Sequence, residues 1–471
     1  MMKCTRVLIA LLFVSTALAQ KTNDPFPKPI PTDEGVIAVK FVEFATIPDV
    51  NGQAPRMMTM LTEPATRRLF LSVMTGPIYS ISYDGKTVTP YLDISAQQWE
   101  VNVQSQGSER GVQSFAFHPH FNQSGARGFG KFYTVVDTAN TAQPADFKPA
   151  GGNHTHDTVL LEWTAKNPSA ATYDGGQPRE LIRFEQPYAN HNGGHLTFNP
   201  LATPRDPDFG FLYVGFADGG SGGDPMNMAQ NLNSAFGKIL RVDPLGTNSA
   251  NKKYGIPPSN PFVNDNDPNT LGEIFAYGLR NPQRIFWDSK NRNMFISDIG
   301  QDTVEKISLV TAGANLGWNV WEGSLKFVSG RPSGVDASES RKDPKVTYPV
   351  VEYGQLDPLL QSNSAAIGGM VYRQNAIPQL TNLLLFGDNP SGEIFYVNAD
   401  NLPNGGQDPI RRVLLEDNGV RKTLLQVIKD KNTAQGKTTP ASRADLRFAL
   451  GPDGQIFLIN KRDGTIRMLV K

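Results

Sequence analysis

A pair of short apolar segments joined by a polar or glycine-rich turn recurs six times along this chain of 471 residues. The pairs are residues 68–73 with 76–82, 131–136 with 158–163, 211–216 with 237–242, 293–297 with 305–310, 382–386 with 392–397, and 455–459 with 464–469. Short apolar runs bounded by turn residues are typical of β-strands. The repeats are spaced by roughly 60 to 90 residues, which allows four strands and their loops in each.

This repetition predicts an all-β fold, namely a six-bladed β-propeller with four-stranded antiparallel blades. A single sheet cannot bury both of its faces, whereas radially stacked sheets can, and a closed ring leaves only short edges exposed. The alternating segment 36–44 is predicted to be a strand that completes the last blade and closes the ring. Two β-sandwiches would require a linker near the middle of the chain, and none is visible. The polar stretches 323–348 and 416–443 are predicted to be excursions over the rim.

Charge balance argues against two classes of partner. Lys and Arg together number 45, as do Asp and Glu. The net charge of the chain therefore creates no overall electrostatic attraction to nucleic acid or to an anionic membrane surface.

The first 19 residues have the three parts of a secretory signal peptide. Lys3 and Arg6 precede an apolar run over 7–14, and Ala17-Leu-Ala19 forms a cleavage site. The apolar run is too short to span a bilayer, so we expect a secreted protein, extracellular or periplasmic, with no transmembrane span. The predicted organisation is a signal peptide over 1–19, a proline-rich lead over 20–34 and one propeller domain over 35–471. Removal of the signal also removes Cys4, the only cysteine, so the mature chain must rely on a large core or a bound metal.

Six histidines are candidates for chemistry: His118, His120, His154, His156, His191 and His195. The first four form two His-x-His pairs, but no Cys or Glu lies at ligand spacing, so a structural or surface role is expected for them. His191 differs because the flexible sequence Asn190-His-Asn-Gly-Gly194 displays it just before an apolar segment. Asp218 ends the next apolar segment. If the two strands pair, both side chains lie at one rim.

Five ordered motifs resemble one protein family. They are His191-Asn-Gly-Gly194, the acidic glycine loop 217–225, Gln230-Asn-Leu-Asn233 with the strand 237–243, Tyr277-Gly-Leu-Arg-Asn-Pro282, and Asp298-Ile-Gly-Gln-Asp302 followed by Asn315-Leu-Gly-Trp318. The chain resembles the glucose/sorbosone dehydrogenase family, soluble quinoprotein sugar dehydrogenases that use pyrroloquinoline quinone (PQQ). The likeness is strong over 109–321 and weaker around 366–372 and 386–388. It implies a six-bladed propeller, the fold that the repeats predict independently.

The resemblance also implies a reaction and its residues. The family oxidises the C1 hydroxyl of an aldose or related sugar to a lactone, with hydride transfer to PQQ. His191 matches the base, a role that suits a neutral imidazole, and Asp218 matches the carboxylate that orients it. Arg280 and Asn281 match the pair beside the quinone. Judged without the resemblance, Asp218 could simply cap a glycine turn, and Arg280 could pair with an acidic residue such as Glu273 or Asp298.

Calcium and PQQ are the cofactors that the resemblance implies. The backbone carbonyls of Gly300 and Gln301 match positions that hold the calcium ion bridging to PQQ, since Ca²⁺ prefers oxygen ligands. Glu109, Arg443 and Arg447 are further candidates to contact the cofactor. Asp224 could ligate a second, structural calcium or could serve as a turn aspartate.

Four positions depart from the pattern of the best-known members. Glu109 stands in place of a glutamine beside the base, and His195 in place of an arginine. Pro390 stands in place of a lysine that contacts a PQQ carboxylate, and Lys306 in place of a carboxylate of a structural calcium site. Loss of a charge-assisted contact would weaken cofactor binding. The hedgehog-interacting-protein-like branch of the family also departs here, and enzymatic activity is not implied for it.

Three functions follow as hypotheses. The first is a sugar dehydrogenase with a small-molecule sugar substrate and a separate electron acceptor, such as a cytochrome or a quinone, because the chain has no Cys-x-x-Cys-His haem motif. The alternative is a non-catalytic calcium-binding propeller that recognises a glycan or a protein. The third is a calcium-dependent lactonase or esterase, for which the chain supplies no clear set of converging carboxylates and amides.

Overall fold

The computed structural model of the chain describes residues 21–63, 65–107, 109–360 and 364–471. The predicted signal peptide therefore lies outside the described residues. Strands dominate the described part of the chain, where a single α-helix, α1, occurs. None of the helices in these ranges is long and apolar enough to cross a membrane.

Four-stranded sheets follow one another along the first half of the chain. Two N-terminal strands come first, β1 (Lys21–Thr22) and β2 (Ile37–Thr46). The next three sheets contain β3 (Met57–Glu63), β4 (Arg68–Val73), β5 (Pro77–Ser82) and β6 (Val88–Asp93); β7 (Val112–Phe117), β8 (Lys131–Thr138), β9 (His156–Thr164) and β10 (Arg179–Gln186); and β11 (His195–Phe198), β12 (Leu212–Phe216), β13 (Lys238–Val242) and β14 (Ile274–Tyr277). A short 3₁₀ helix spans Gln97–Trp99.

The second half repeats the pattern with one insertion. Its strands are β15 (Pro282–Trp287), β16 (Met294–Asp298), β17 (Val304–Val310), β18 (Trp321–Glu322), β19 (Leu325–Val328), β20 (Gly334–Ser340), β21 (Val351–Gly354), β22 (Ala366–Tyr372), β23 (Leu383–Asp388), β24 (Ile394–Asn398), β25 (Arg411–Asp417), β26 (Val420–Lys422), β27 (Arg447–Leu450), β28 (Ile456–Ile459) and β29 (Thr465–Val470). A 3₁₀ helix spans Pro378–Leu380, and α1 spans Leu424–Ala434.

Strand pairing confirms the six predicted hairpins. The fourth sheet has the order β15-β16-β17-β21, the fifth β22-β23-β24-β25, and the last β27-β28-β29-β2. The predicted strand near Val36 is β2, which pairs antiparallel with β29 and so completes the last sheet. It also pairs in parallel with β25, which joins the fifth and last sheets into one.

The first strands of the sheets pack against one another in a closed order. Strands β3, β7, β11, β15, β22 and β27 contact each other in this sequence, and β27 returns to β3. Most strands are buried on both faces because apolar side chains fill the space between neighbouring sheets. The rings of Phe184 and Phe216, for example, stack at 3.9 Å between the second and third sheets. The described residues thus form an almost entirely β structure built from four-stranded antiparallel sheets.

Both predicted excursions contain regular structure. Residues 323–348 belong largely to the insertion β18–β20, which forms a separate sheet with β1. Residues 416–443 contain α1. No helix was predicted there, because the sequence shows no long apolar segment with a 3.6-residue period. A capping box starts this helix, since Thr423 and Gln426 exchange side chain to backbone hydrogen bonds. Its first turns bury Leu424, Leu425 and Ile428 against the last two sheets.

Candidate active site

Loops at one edge of the sheets carry most of the predicted site residues. In antiparallel sheets the start of one strand and the end of the next lie at the same edge. His191, Arg280 and Arg447 lie just before or at the start of first strands. Asp218 and residues 299–302 follow the ends of second strands. Topology alone therefore gathers segments that are far apart in the sequence.

A cavity of about 520 Å³ opens at this edge. Eight of the predicted site residues line it: Glu109, His191, Arg280, Asn281, Gly300, Gln301, Arg443 and Arg447. Asp218 lies behind His191, and Asp224 is also absent from the lining. Pro390 lines the cavity together with Gln283, Gln355, Asn389 and Lys461. The structure thus brings together residues that the sequence could connect only through the family resemblance.

His191 and Asp218 form a buried hydrogen-bonded pair. The His191 Nδ1 to Asp218 Oδ1 distance is 2.7 Å, and the two residues are 4% and 1% exposed. Burial raises the pKa of Asp218, but the His191 ring, Arg280 and the Gly220 N–H together hold it below its ordinary value. The ionised carboxylate accepts the Nδ1 proton, so Nε2 is the ring nitrogen left to accept a proton.

Trp318 contacts the same carboxylate from the opposite side. Its indole Nε1–H donates to Asp218 Oδ2 at 2.9 Å, and the side chain is fully buried. Trp318 is the last residue of the motif Asn315-Leu-Gly-Trp318, but the sequence alone assigned it no role. The structure shows that it fixes the partner of His191.

The backbone of His191 is held in a left-handed conformation. Its φ is 55°, which is uncommon for a residue other than glycine. Its N–H donates to Glu109 Oε2 at 2.7 Å, so the carboxylate in place of the family's glutamine orients the loop that carries His191.

Arg280 lines the same cavity within a dense hydrogen-bond network. Its Nε donates to Gln301 Oε1 at 3.0 Å, and the same oxygen accepts from Gly223 N. Its backbone N–H donates to Asp298. The Asp298 carboxylate is paired not with the guanidinium but with Lys306, at 3.0 Å. Lys306, which departs from the family pattern, thus neutralises a buried carboxylate beneath Arg280.

The loop after β16 wraps around one glutamate. Oε1 of Glu322 accepts hydrogen bonds from the backbone N–H groups of Gln301, Asp302, Thr303 and Val304, at 2.8 to 3.1 Å. Glu322 belongs to β18 of the inserted sheet. This contact was not predicted, because the stretch 323–348 that follows Glu322 was expected to be a polar excursion without chemistry.

Positive charge is concentrated on another wall of the cavity. Arg443, Arg447 and Lys461 all line it. Burial, offset in part by Asp445, lowers the pKa of Arg447 to about 10. Burial also lowers the pKa of Lys461 well below its ordinary value, and the positive charge of Arg447 lowers it further. Cations crowded together in a partly buried wall are stabilised by a bound anion, so this wall fits a ligand that carries carboxylates.

Lys461 is a cavity residue that sequence reasoning missed. It follows the end of β28, 71 positions after Pro390, and so could not be matched to the lysine expected there. The edge rule of antiparallel sheets could have pointed to it once β28 was assigned.

Asp224 caps a turn. Its Oδ1 and Oδ2 accept from the N–H groups of Met228 and Ala229 at 2.9 and 2.8 Å. Burial and the nearby Asp218 raise its pKa to about 6. This geometry favours the turn role over the calcium role, the two readings that the sequence left open.

The other histidines lie away from the cavity. His118 and His120 follow the far end of β7, and His118 Nδ1 accepts from the His120 N–H. His154 is paired with Asp157 at 2.7 Å, and His195 Nδ1 accepts from the Ile285 N–H. Across the residues that the structure describes, no group of three or more His, Cys, Asp or Glu side chains could hold a metal ion. Gly300 and Gln301, whose carbonyls the resemblance assigns to calcium, line the cavity beside oxygen-bearing side chains such as Asp302.

Comparison with known proteins places the chain in a family. The family model described as glucose / sorbosone dehydrogenase matches residues 53–467. The HIPL1 protein of Arabidopsis thaliana is 30% identical over 364 residues, which cover 70% of this chain and 50% of that protein. The Hedgehog-interacting protein of Mus musculus is 27% identical over 327 residues, which cover 69% of this chain and 39% of that protein. The chain thus spans about half or less of the length of these curated relatives.

A solved structure shares the fold. The PQQ-bound form of aldose sugar dehydrogenase from Streptomyces coelicolor superposes with a TM-score of 0.56 and 18% identity, covering 92% of this chain and 98% of that one. The family match over most of the sequence shows that the chain belongs to the glucose/sorbosone dehydrogenase family.

Proposed function

We propose that this protein is a PQQ- and calcium-dependent dehydrogenase that oxidises the C1 hydroxyl of an aldose or related sugar to a lactone. The observation that carries the proposal is the buried His191–Asp218 pair, which faces the same cavity as the cationic wall. A base and an anion-binding wall in one cavity are what proton removal beside a carboxylated cofactor requires.

The proposed scaffold is a six-bladed propeller. Its blades are the sheets that begin with β3, β7, β11, β15, β22 and β27, and β2 closes the ring. The closed packing order of these first strands supports this description. The cavity then lies at one end of the central axis, where the first strands of all blades converge.

Each residue of the cavity has a proposed role. Bound PQQ supplies the hydride acceptor. His191 Nε2 takes the proton of the C1 hydroxyl, and Asp218 stabilises the imidazolium that results. Arg280, with Asn281 beside it, stabilises negative charge that develops in the cavity.

Binding of the cofactors is assigned to the rest of the lining. Arg443, Arg447 and Lys461 hold the carboxylates of PQQ, with Lys461 providing the cation that Pro390 does not. The carbonyl oxygens of Gly300 and Gln301 hold calcium, a hard cation suited to such ligands. Glu109 orients the base loop. The electron acceptor is a separate molecule, such as a cytochrome or a quinone, and the site of action is outside the cytoplasm.

The relatives favour a second candidate function. HIPL1 and the Hedgehog-interacting protein share more identity with this chain than the aldose sugar dehydrogenase of Escherichia coli does, which is 23% identical over 57% of the chain. The alternative is therefore a calcium-binding propeller without catalysis that recognises a glycan or a protein at the same edge.

Titration with PQQ distinguishes the two functions. The mature protein is loaded with calcium, PQQ binding is followed by the quinone absorbance, and aldoses are then added. If the protein is a dehydrogenase, we expect it to bind PQQ and the bound PQQ to be reduced when a sugar is added. Failure to bind PQQ at high concentration supports the alternative.

A pair of histidine variants tests the assignment of the base. His191→Gln should bind PQQ but lose about 10²- to 10⁴-fold in kcat, the contribution of general base catalysis. His120→Gln, which changes a histidine at the opposite edge of the sheet, should keep wild-type turnover. Normal turnover by His191→Gln under saturating PQQ and calcium would refute the role of His191.

A further inference from the structure

We infer that Glu322 is a positioning residue, which holds the loop 300–304 so that the carbonyls of Gly300 and Gln301 are presented as calcium ligands. The inference rests on the proposed function for its metal. It concerns the inserted sheet β18–β20, an element outside the regular succession of four-stranded sheets.

The first step is the direction of the carbonyls. In a trans peptide the C=O of one residue and the N–H of the next lie in one plane and point in opposite directions. The N–H groups of Gln301 and Asp302 donate to Glu322 Oε1 at 2.8 and 3.1 Å. Their peptide partners, the carbonyls of Gly300 and Gln301, must therefore point away from Glu322.

The second step is where that side of the loop lies. Gly300, Gln301 and Asp302 line the cavity, whereas Glu322 is fully buried and does not line it. Glu322 thus lies behind the loop and the cavity in front of it. A single carboxyl oxygen bound by four successive N–H groups turns both carbonyls toward the cavity side.

The third step is the fit of the loop around the glutamate. A Cβ added to Gly300 would lie 1.9 Å from the Val304 carbonyl oxygen and 3.0 Å from Glu322 Oε1. Only glycine allows the chain to curl this closely, because any side chain would clash with the backbone. The wrapped conformation consequently requires both Gly300 and the acceptor at its centre.

The side chain of Gln301 links this loop to the rest of the site. Its Oε1 accepts from Arg280 Nε and from Gly223 N, each at 3.0 Å. Glu322 therefore influences the quinone-side arginine as well as the two carbonyls. Partners that orient metal ligands typically contribute about 10- to 100-fold to metal affinity.

The test measures calcium affinity and loop protection in matched variants. Glu322→Ala removes the acceptor, and Glu322→Gln keeps an acceptor oxygen without the charge. Glu352→Ala is the control, because Glu352 is a buried carboxylate whose side chain accepts hydrogen bonds from Ser324, two residues from Glu322, and from Gly406, rather than from the loop 300–304. Calcium Kd is measured by isothermal titration with and without PQQ. Hydrogen exchange of the peptide spanning 300–304 is measured in the metal-free protein, and thermal unfolding shows which variants fold.

We expect Glu322→Ala to raise the calcium Kd about 10- to 100-fold and to speed exchange in the loop, with Glu322→Gln restoring most of both. Glu352→Ala should leave the Kd close to that of the wild type. Unchanged calcium affinity in a folded Glu322→Ala overturns the inference, as does a glutamine variant as weak as the alanine variant, since charge alone would then explain the loss. A wild-type protein that binds no calcium overturns the metal assignment of the proposed function, and the inference with it.

Discussion

Trp318 and His191 hold the two oxygens of the same buried carboxylate, that of Asp218. The indole N–H donates to Oδ2 at 2.9 Å, and the imidazole contacts Oδ1 at 2.7 Å. Trp318→Phe removes the first contact while keeping an aromatic ring. We expect the variant to be less stable by about 1.5 to 3 kcal/mol, the range for a hydrogen bond to a charged group. Its kcat should fall as well, because Asp218 would no longer fix His191. Urea unfolding and steady-state turnover measure the two effects.

Trp321 supplies the matched control for this substitution. It lies in the same segment and is buried, but its Nε1 has no hydrogen-bond partner among the residues that the structure describes. Trp321→Phe should therefore leave turnover unchanged. Equal loss of kcat in both variants would show that packing of the segment, and not the hydrogen bond to Asp218, determines the effect on turnover.

Lys461 is predicted to replace the cation that Pro390 does not supply. Lys461→Met keeps most of the side-chain volume and removes the charge from the wall that it forms with Arg443 and Arg447. The Kd for PQQ should rise about 10- to 100-fold, which corresponds to the loss of a charge-assisted contact. Absorbance titration of the calcium-loaded protein measures this change.

A second lysine controls for the loss of charge alone. Lys437 lines a neighbouring cavity that also contains Lys461, but it does not line the cavity of His191. Lys437→Met should bind PQQ with the wild-type Kd. If Lys461→Met does so too, Arg443 and Arg447 suffice for the cofactor and the assignment of Lys461 is wrong.

The sequence predicted the hairpins and the edge at which the site lies. Short apolar runs and the turns between them locate β4 with β5 and each later pair, because these signals are local. The closing strand β2 could be predicted for the same reason. The cavity residues before first strands, such as His191 and Arg280, were found through motifs whose order matches a family, since spacing alone gives no distance between separate sheets.

Contacts of the inserted sheet and of the segment just before it could not be predicted in this way. Trp318 and Glu322 act through long-range contacts with Asp218 and with the loop 300–304, and no local pattern encodes those partners. Lys461 was not predicted as a cavity residue for a related reason, because its position depends on the register of the last sheet. The helix α1 was missed although its capping box, Thr423 with Gln426, was readable in the sequence.

Asp137 lies behind the loops that carry Glu109 and His191. Its Oδ2 accepts from Gly111 N at 3.0 Å and from Gln113 Nε2 at 2.6 Å. Its Oδ1 accepts from Thr158 Oγ1 at 2.5 Å, and His156 Nε2 lies 3.8 Å away. Burial raises the pKa of Asp137 to about 7 although these donors and Arg110 oppose the shift. Burial, with Arg110, lowers the pKa of His156 to about 4, so this ring is neutral at pH values where Asp137 titrates.

A raised pKa in the folded state means that the fold prefers protonated Asp137. Its contribution to the free energy of unfolding is complete below the unfolded pKa of about 3.9 and is lost as the pH rises to about 7. Asp137→Asn has no such titration. The stability of the wild type relative to this variant should therefore decline between about pH 4 and pH 7, by at most about 1.4 kcal/mol per pH unit. Urea unfolding across this range measures the decline, with the exposed Asp453→Asn as control. Parallel curves for wild type and Asp137→Asn would mean that Asp137 titrates as an ordinary carboxyl.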